Sequence, residues 1–300
     1  MTTQRIIGNI KRDNRTIVRI EEEVFDMPPA PGSPSSGGAK PPKEGRQGEQ
    51  KGEIILPGEF HLYEGRNVDK APEILQAGKI IAPAFYIAQR RLEAKTPEDI
   101  TLWHDKWYDT SDLIAYDSER NPDNVKLILS YDSQFRLTKA GEFCLNLINP
   151  NETLVNNGVN LSNGRYEQIE GEGVFPMKRS ELAGILEKGM RKTQTLDSRL
   201  WRRLLRHQDE VPPEFAFPDL HKNYIDLVYS SYKERFAKNA KLDELELMGV
   251  YLSSVQAVPH LKAWYLGGLG DGSGARGRTY LGGAYGRFSG VSARGAVAEK

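Results

Sequence analysis

Cysteine is nearly missing from this sequence. Cys144 is the only one in 300 residues, which excludes an internal disulfide framework and every multi-cysteine zinc or iron–sulfur pattern. Its setting, GEFCLNLI, is an alternating apolar stretch with no basic or histidine neighbour, so the thiol reads as a buried structural group rather than a nucleophile. Long apolar runs are missing too. No stretch of about 18 apolar residues occurs, and the opening MTTQRIIGNIKRDNR lacks the apolar core of a signal peptide. These absences lead to the expectation of a protein in a reducing compartment, cytoplasmic or within an intracellularly assembled particle, with no membrane partner.

Net charge is also missing: 41 Lys and Arg balance 41 Asp and Glu, so no global field draws the molecule to a polyanion and any electrostatic partner must be held by a local patch. Catalytic signatures fail in the same way. There is no H-E-x-x-H, no G-x-S-x-G and no Cys/His pair at useful spacing. His61, His104, His207, His221 and His260 are scattered and read as structural. No fixed-period repeat is present.

One local absence organises the chain. From Met27 to about Gly52 there is no aromatic or β-branched residue, so nothing offsets the entropy of ordering this stretch. The expected layout is a β-hairpin arm over 1–26, a disordered linker over 27–52, a body over 53–260 and a Gly/Arg/aromatic extension over 261–300.

Within the body, Pro83 lacks the N–H an internal helix position needs, so the apolar pattern around it predicts two short helices with the second starting there. Thr96-Pro97-Glu98-Asp99 reads as a helix start, and the helix is expected to continue through ITLWHDKWYDTSDLIAY. VKLILSYD and GEFCLNLINP read as strands. Helices are expected from Ser180, from Asp197 through SRLWRRLLRHQ, from Asp219 through LHKNYIDLVYSSYKERFAKNA, and through LDELELMGVYLSSVQ. Strands and helices do not alternate strictly, which argues against a doubly wound sheet. The expected fold class is therefore α+β, a mainly helical body with a small β portion, a disordered N-terminal linker and a Gly-rich C-terminal extension.

What is present is uneven charge and a glycine-rich end. Arg199, Arg202, Arg203 and Arg206 share one face of the expected helix, and from Lys178 to Arg206 nine basic residues stand against three acidic ones. From Glu93 to Asp123 nine acids stand against three bases, with Asp105, Asp109 and Asp112 at i, i+4 and i+7. In a helix those three would form an acidic stripe. Trp103 and Trp107 would sit one turn apart and pack against another helix or subunit. His104 beside the acid trio invites a metal, but no second acidic motif accompanies it, and neither a metal nor a cofactor is expected.

Residues 272–279, GSGARGRT, nearly spell a phosphate-binding loop, with Arg278 in place of the lysine. The following YLGGAYGRFSG carries too much glycine for the helix such a loop requires. The residues between the glycines are more informative. Arg276, Arg278, Tyr280, Tyr285 and Arg287 alternate rings and guanidiniums on a backbone that permits close approach.

The functional expectation is a non-enzymatic, self-assembling protein associated with single-stranded nucleic acid, RNA in the first instance. It would bind phosphates through Arg199, Arg202, Arg203 and Arg206 together with the Gly/Arg/Tyr segment. Copies would associate through Asp105, Asp109, Asp112, Trp103 and Trp107. A scaffold that assembles without nucleic acid, and a metal-dependent phosphodiesterase or atypical nucleotide-binding enzyme, are the alternatives.

Overall fold

The structure is a computed structural model that describes residues 3–12, 15–23, 60–117, 124–178, 198–236, 247–252, 258–277 and 279–292. Strands β1 (Thr3–Arg12) and β2 (Arg15–Glu23) pair antiparallel as a separate two-stranded sheet. Eleven further strands form one mixed sheet that carries the rest of the described residues. The expectation of a mainly helical body is therefore wrong: a large sheet is the frame, and the helices pack on it.

The sheet is built around β5 (Tyr108–Tyr116), all nine of whose residues are buried. Along one edge it pairs antiparallel with β11 (His260–Leu266). Its other edge is shared. The N-terminal end meets β13 (Gly286–Val291) in parallel at Asp109 and Phe288, and the C-terminal half pairs antiparallel with β6 (Asn124–Ile128). Beyond β13 lies β3 (Phe60–Gly65), and the short strand β4 (Ile80–Ile81) also hydrogen-bonds to β13. Beyond β11 lie β12 (Ala275–Gly277) and then β10 (Val250–Leu252), which pairs with β12 in parallel. Strands β7 (Leu154–Val155) and β8 (Gly158–Asn160) form a small hairpin on the start of β11, and β9 (Val174–Lys178) flanks β6.

The stretch expected to be one helix from Thr96 to Tyr116 divides at His104. Thr96 does accept a hydrogen bond from the Asp99 N–H, but the helical part is a short turn over Pro97–Asp99 followed by a π turn over Ile100–His104. The remainder becomes β5 because Tyr108, Thr110, Ile114 and Tyr116 suit a pleated surface, and burial on both faces removes the polar–apolar alternation by which strands are read. Asp109 and Asp112 consequently project to opposite faces rather than along one stripe.

Among the described residues, five longer helices surround the sheet. Two precede β5: α1 (Asn67–Gln76) and α2 (Ala84–Glu93), the latter starting after Pro83 as its missing N–H predicts. GEFCLNL lies within α3 (Lys139–Leu147), a helix rather than a strand, started by the Thr138 side chain accepting from the Gly141 N–H, with Ile148 as its C-cap. Helix α4 (Arg199–Leu204) opens on Ser198, one residue beyond the expected Asp197, and α5 (Leu220–Phe236) follows. The helix expected through LDELELMGVYLSSVQ is not helical in its described part, residues 247–252, of which Val250–Leu252 are strand β10, and the helix expected from Ser180 lies outside the described residues, as does the 27–52 stretch.

The glycine-rich end is not an extension. Three of its segments are sheet strands, and Leu261, Trp264, Leu266, Phe288 and Val291 are core residues. Its glycines allow strands to close on bulky neighbours. A methyl group on Gly277 would collide with Tyr116, Trp264 and Ile114, and one on Gly286 would overlap the Gly65 carbonyl and the Asn67 side chain.

Candidate functional site

Neighbouring strands place one residue each along a line that crosses the sheet. Tyr251 of β10 lies opposite Arg276 of β12, and Arg276 lies opposite Tyr265 of β11. Tyr265 is opposite Asp109, and its ring packs on Trp107 at 5.1 Å between centroids. On the far side, Arg287 of β13 is opposite Glu64 of β3. The result is an alternating row. The Arg276 guanidinium is 5.2 Å from the rings of both Tyr251 and Tyr265, and that of Arg287 is 5.0 Å from Trp107. Arg287 closes the row with two hydrogen bonds to Glu64 Oε1, at 3.0 and 2.6 Å. Guanidinium–ring contacts of this kind each contribute about 0.5–2 kcal/mol.

The middle of this row, Arg276, Tyr265 and Trp107, forms one wall of a cleft of about 450 Å³, which is completed by Asp109 and by the loop from Thr279 to Gly286. The loop hangs from one internal residue. Leu281 is buried, its N–H donates to the Asn157 carbonyl at 2.9 Å, and its own carbonyl accepts from the Val68 N–H at 3.1 Å. Gly283 N–H bonds back to the Tyr280 carbonyl and tightens the turn. On either side of this anchor, Tyr280 and Tyr285 stand 62% and 87% exposed, both lining the cleft. The Lys262 ammonium lies 5.6 Å from the centre of the Tyr280 ring.

Asp109 lies at the base of the cleft and is buried. Its Oδ2 accepts from Asn67 Nδ2 at 3.0 Å and from the Arg287 N–H at 2.8 Å, while Oδ1 accepts from the Thr279 hydroxyl at 3.1 Å. Burial pushes the carboxyl up to about 6, and the hydrogen bonds from Arg287, Asn67 and Thr279 restrain that rise. One carboxylate thus ties β5 to α1, to β13 and to the loop.

Four residues expected to contact nucleic acid, Arg276, Tyr280, Tyr285 and Arg287, gather at this cleft or on its stacked row, together with Trp107 and Asp109 from the expected self-association set. Arg278 lies outside the described residues. The arginine ladder goes elsewhere. Arg199 and Arg203 both donate to Glu210 Oε2, and Arg203 also lies over Phe175. Arg202 is partly buried on the same helix. Arg206 is fully buried past the helix end, where it donates to Asp112 at 2.9 Å and to the Tyr131 carbonyl at 3.1 Å beside Phe85 and Phe215. The ladder is thus not a solvent-facing row of guanidiniums, because two of its members are core residues.

The acidic trio does not converge either. Asp105 is exposed, and Asp112 is buried on the face opposite Asp109, where it also accepts from the Ala84 N–H at 2.8 Å. Among the described residues no group of three or more metal-ligating side chains comes together. Trp103 is a core residue against Phe60 and Tyr108, whereas Trp107 faces the cleft.

Residues that sequence reasoning misses are those brought in by long-range pairing. Tyr251 reaches the row only through the parallel β10–β12 contact. Arg91 is fully buried and donates to the carbonyls of Trp103 and Lys106, to the Tyr224 hydroxyl and to Ser273. It fixes the glycine-rich loop to α5. No local signal marks either residue, because their partners lie on distant segments.

No protein-family model matches the chain, and no curated protein matches it. It is similar to a solved structure described as "Accommodation of massive sequence variation in Nanoarchaeota by the C-type lectin fold", with a TM-score of 0.51 and 12% identity over 80% of this chain and 100% of that one. At that identity the likeness concerns the fold alone, and it agrees with the mixed sheet in replacing a mainly helical body by a C-type lectin-like architecture. No described helix is long and apolar enough to cross a membrane.

Proposed function

We propose that this chain is a recognition protein that binds a protein partner in the cleft between the stacked row and the Thr279–Gly286 loop. The observation that carries the reading is the division of labour within that loop. Buried Leu281 and the Thr279 hydroxyl hold the loop to the body, whereas the side chains of Tyr280, Ala284 and Tyr285 are exposed, with the Lys262 ammonium beside the Tyr280 ring. Exposed Tyr with nearby Trp and Arg is the side-chain set that dominates protein–protein binding energy. The similar fold described as accommodating massive sequence variation supports the same reading, since the outward positions here are separable from the core.

The test is selection of a displayed peptide library on the full chain, followed by titration of the selected peptides against variants. Tyr280→Ala with Tyr285→Ala is expected to weaken binding about tenfold or more with an unchanged melting temperature. Peptides that bind the double variant as tightly as the parent would overturn the reading.

Single-stranded nucleic acid is the second reading, favoured by the meeting of Arg276, Tyr280, Tyr285 and Arg287 at one place. It requires affinity for an oligonucleotide that falls steeply with salt. The pairing of Arg287 with Glu64 and the carboxylate of Asp109 weigh against it. Tight, salt-sensitive oligonucleotide binding lost in Arg276→Gln would replace the protein partner by a nucleic acid.

A further inference from the structure

We infer that Arg276 is the anchor for a carboxylate group of the bound partner, as on an acidic peptide side chain. The inference rests on the reading of the cleft as the recognition site and names the group that the site receives. Arg276 lines the cleft, yet among the described residues it has no ion pair and no side-chain hydrogen bond, and its buried Nε is without a partner. A buried donor left without an acceptor is costly, so an incoming acceptor recovers that loss as binding energy.

The setting also selects the shape of the acceptor. Tyr251 and Tyr265 flank the guanidinium from the two neighbouring strands at equal distance. The two rings restrain the planar group from both sides, so part of the side-chain entropy normally lost on binding is already spent in the free protein. A carboxylate presents two oxygens in one plane and fits that fork bidentately.

The nearby Asp109 does not satisfy Arg276, because its oxygens are taken by Asn67, Arg287 and Thr279. Its charge does, however, oppose each negative charge that enters the cleft, and so opposes a dianion more than a monoanion. A monoanion therefore suits the site better than a phosphate dianion.

The full chain is titrated with benzoate, benzamide and phenyl phosphate, and the backbone amide resonances of Tyr265, Thr279 and Gly283 are followed by NMR. Benzoate is expected to shift these resonances and to bind about tenfold or more tightly than benzamide. Arg276→Gln is expected to abolish that preference, and Arg276→Lys, which keeps the charge without the fork, to reduce it. Equal binding of benzoate and benzamide to the unaltered chain overturns the inference without reliance on any variant. Tighter binding of phenyl phosphate than of benzoate overturns the choice of carboxylate.

The two proposals fail separately. Selected peptides that bind the cleft equally well in Arg276→Gln leave the recognition reading standing and remove the anchor. Benzoate binding with no peptide selected leaves the anchor and removes the protein partner.

Discussion

Asp109 couples the cleft to pH. Its carboxyl titrates near 6 in the fold because burial disfavours the charge, against about 3.9 in an unfolded chain. Between those values the folded state holds a proton that the unfolded state has lost. The contribution of this group to stability is therefore fully present below about pH 4 and disappears as pH rises through 6, a loss of about 3 kcal/mol. Asp109→Asn keeps the acceptor for Arg287 and Asn67 and offers its amide to a Thr279 hydroxyl that can rotate to accept. The difference in unfolding free energy between the Asp109→Asn variant and the parent, measured by denaturant titration, should rise with pH across this window. A difference that stays flat from about pH 4 to 7 would remove the burial argument. On the other face of the same strand, Asp112 and Arg206 form a buried pair that also receives the Ala84 N–H. Asp112→Ala leaves a buried guanidinium without its counter-charge and should cost about 3–5 kcal/mol, read from the midpoint of chemical unfolding.

At the scale of the element, the loop between β12 and β13 carries contrasting demands within adjacent positions. Gly286→Ala drives a methyl group into the Gly65 carbonyl and the Asn67 side chain and should destabilise by about 3 kcal/mol. Tyr285→Ala, one residue earlier and exposed, should stay within about 0.5 kcal/mol. Parallel thermal melts of the two variants check the contrast. The elements that sequence reasoning recovers are those announced by local chemistry: the Pro83 boundary, the Thr96 cap, the amphipathic α5. Those it misplaces have no such announcement. Strand β5 is buried on both faces and shows no alternation, and its Asp109 and Asp112, with Asp105 before it, imitate a helical stripe at i, i+4 and i+7. Strands β11 to β13 sit in a sequence whose glycines suggest looseness, although several of them are there because a neighbouring side chain or carbonyl leaves no room for a Cβ. In α3 the alternation of GEFCLNLI imitates a strand, and only the Thr138 cap betrays the helix.

At the scale of the molecule, the candidate site is half legible in the sequence. Arg276, Tyr280, Tyr285 and Arg287 stand together in the sequence as an expected nucleic-acid-binding set, whereas Trp107 and Asp109, expected in a separate self-association set, and Tyr251, not expected at all, join them only through pairing between distant segments. The arginine ladder misleads for a related reason: the chain ends its helix at Leu204 and turns Arg206, at positive φ, into the core. Residues 260–291 supply β11, β12 and β13, two of which pair with β5. A chain ending at residue 259 should accordingly show no cooperative thermal transition by circular dichroism, whereas a separable extension would leave one intact.

The position of β13 also has a consequence for biogenesis. It inserts between β3, which begins at Phe60, and β5, and its Val291 lies opposite Phe60. Until residue 291 has cleared the ribosome, both of those strands present unpaired edges to solvent or to one another. Folding of this sheet waits on residue 291 and is limited in rate by long-range pairing, so a nascent copy is exposed to edge-to-edge association with its neighbours on the same polysome.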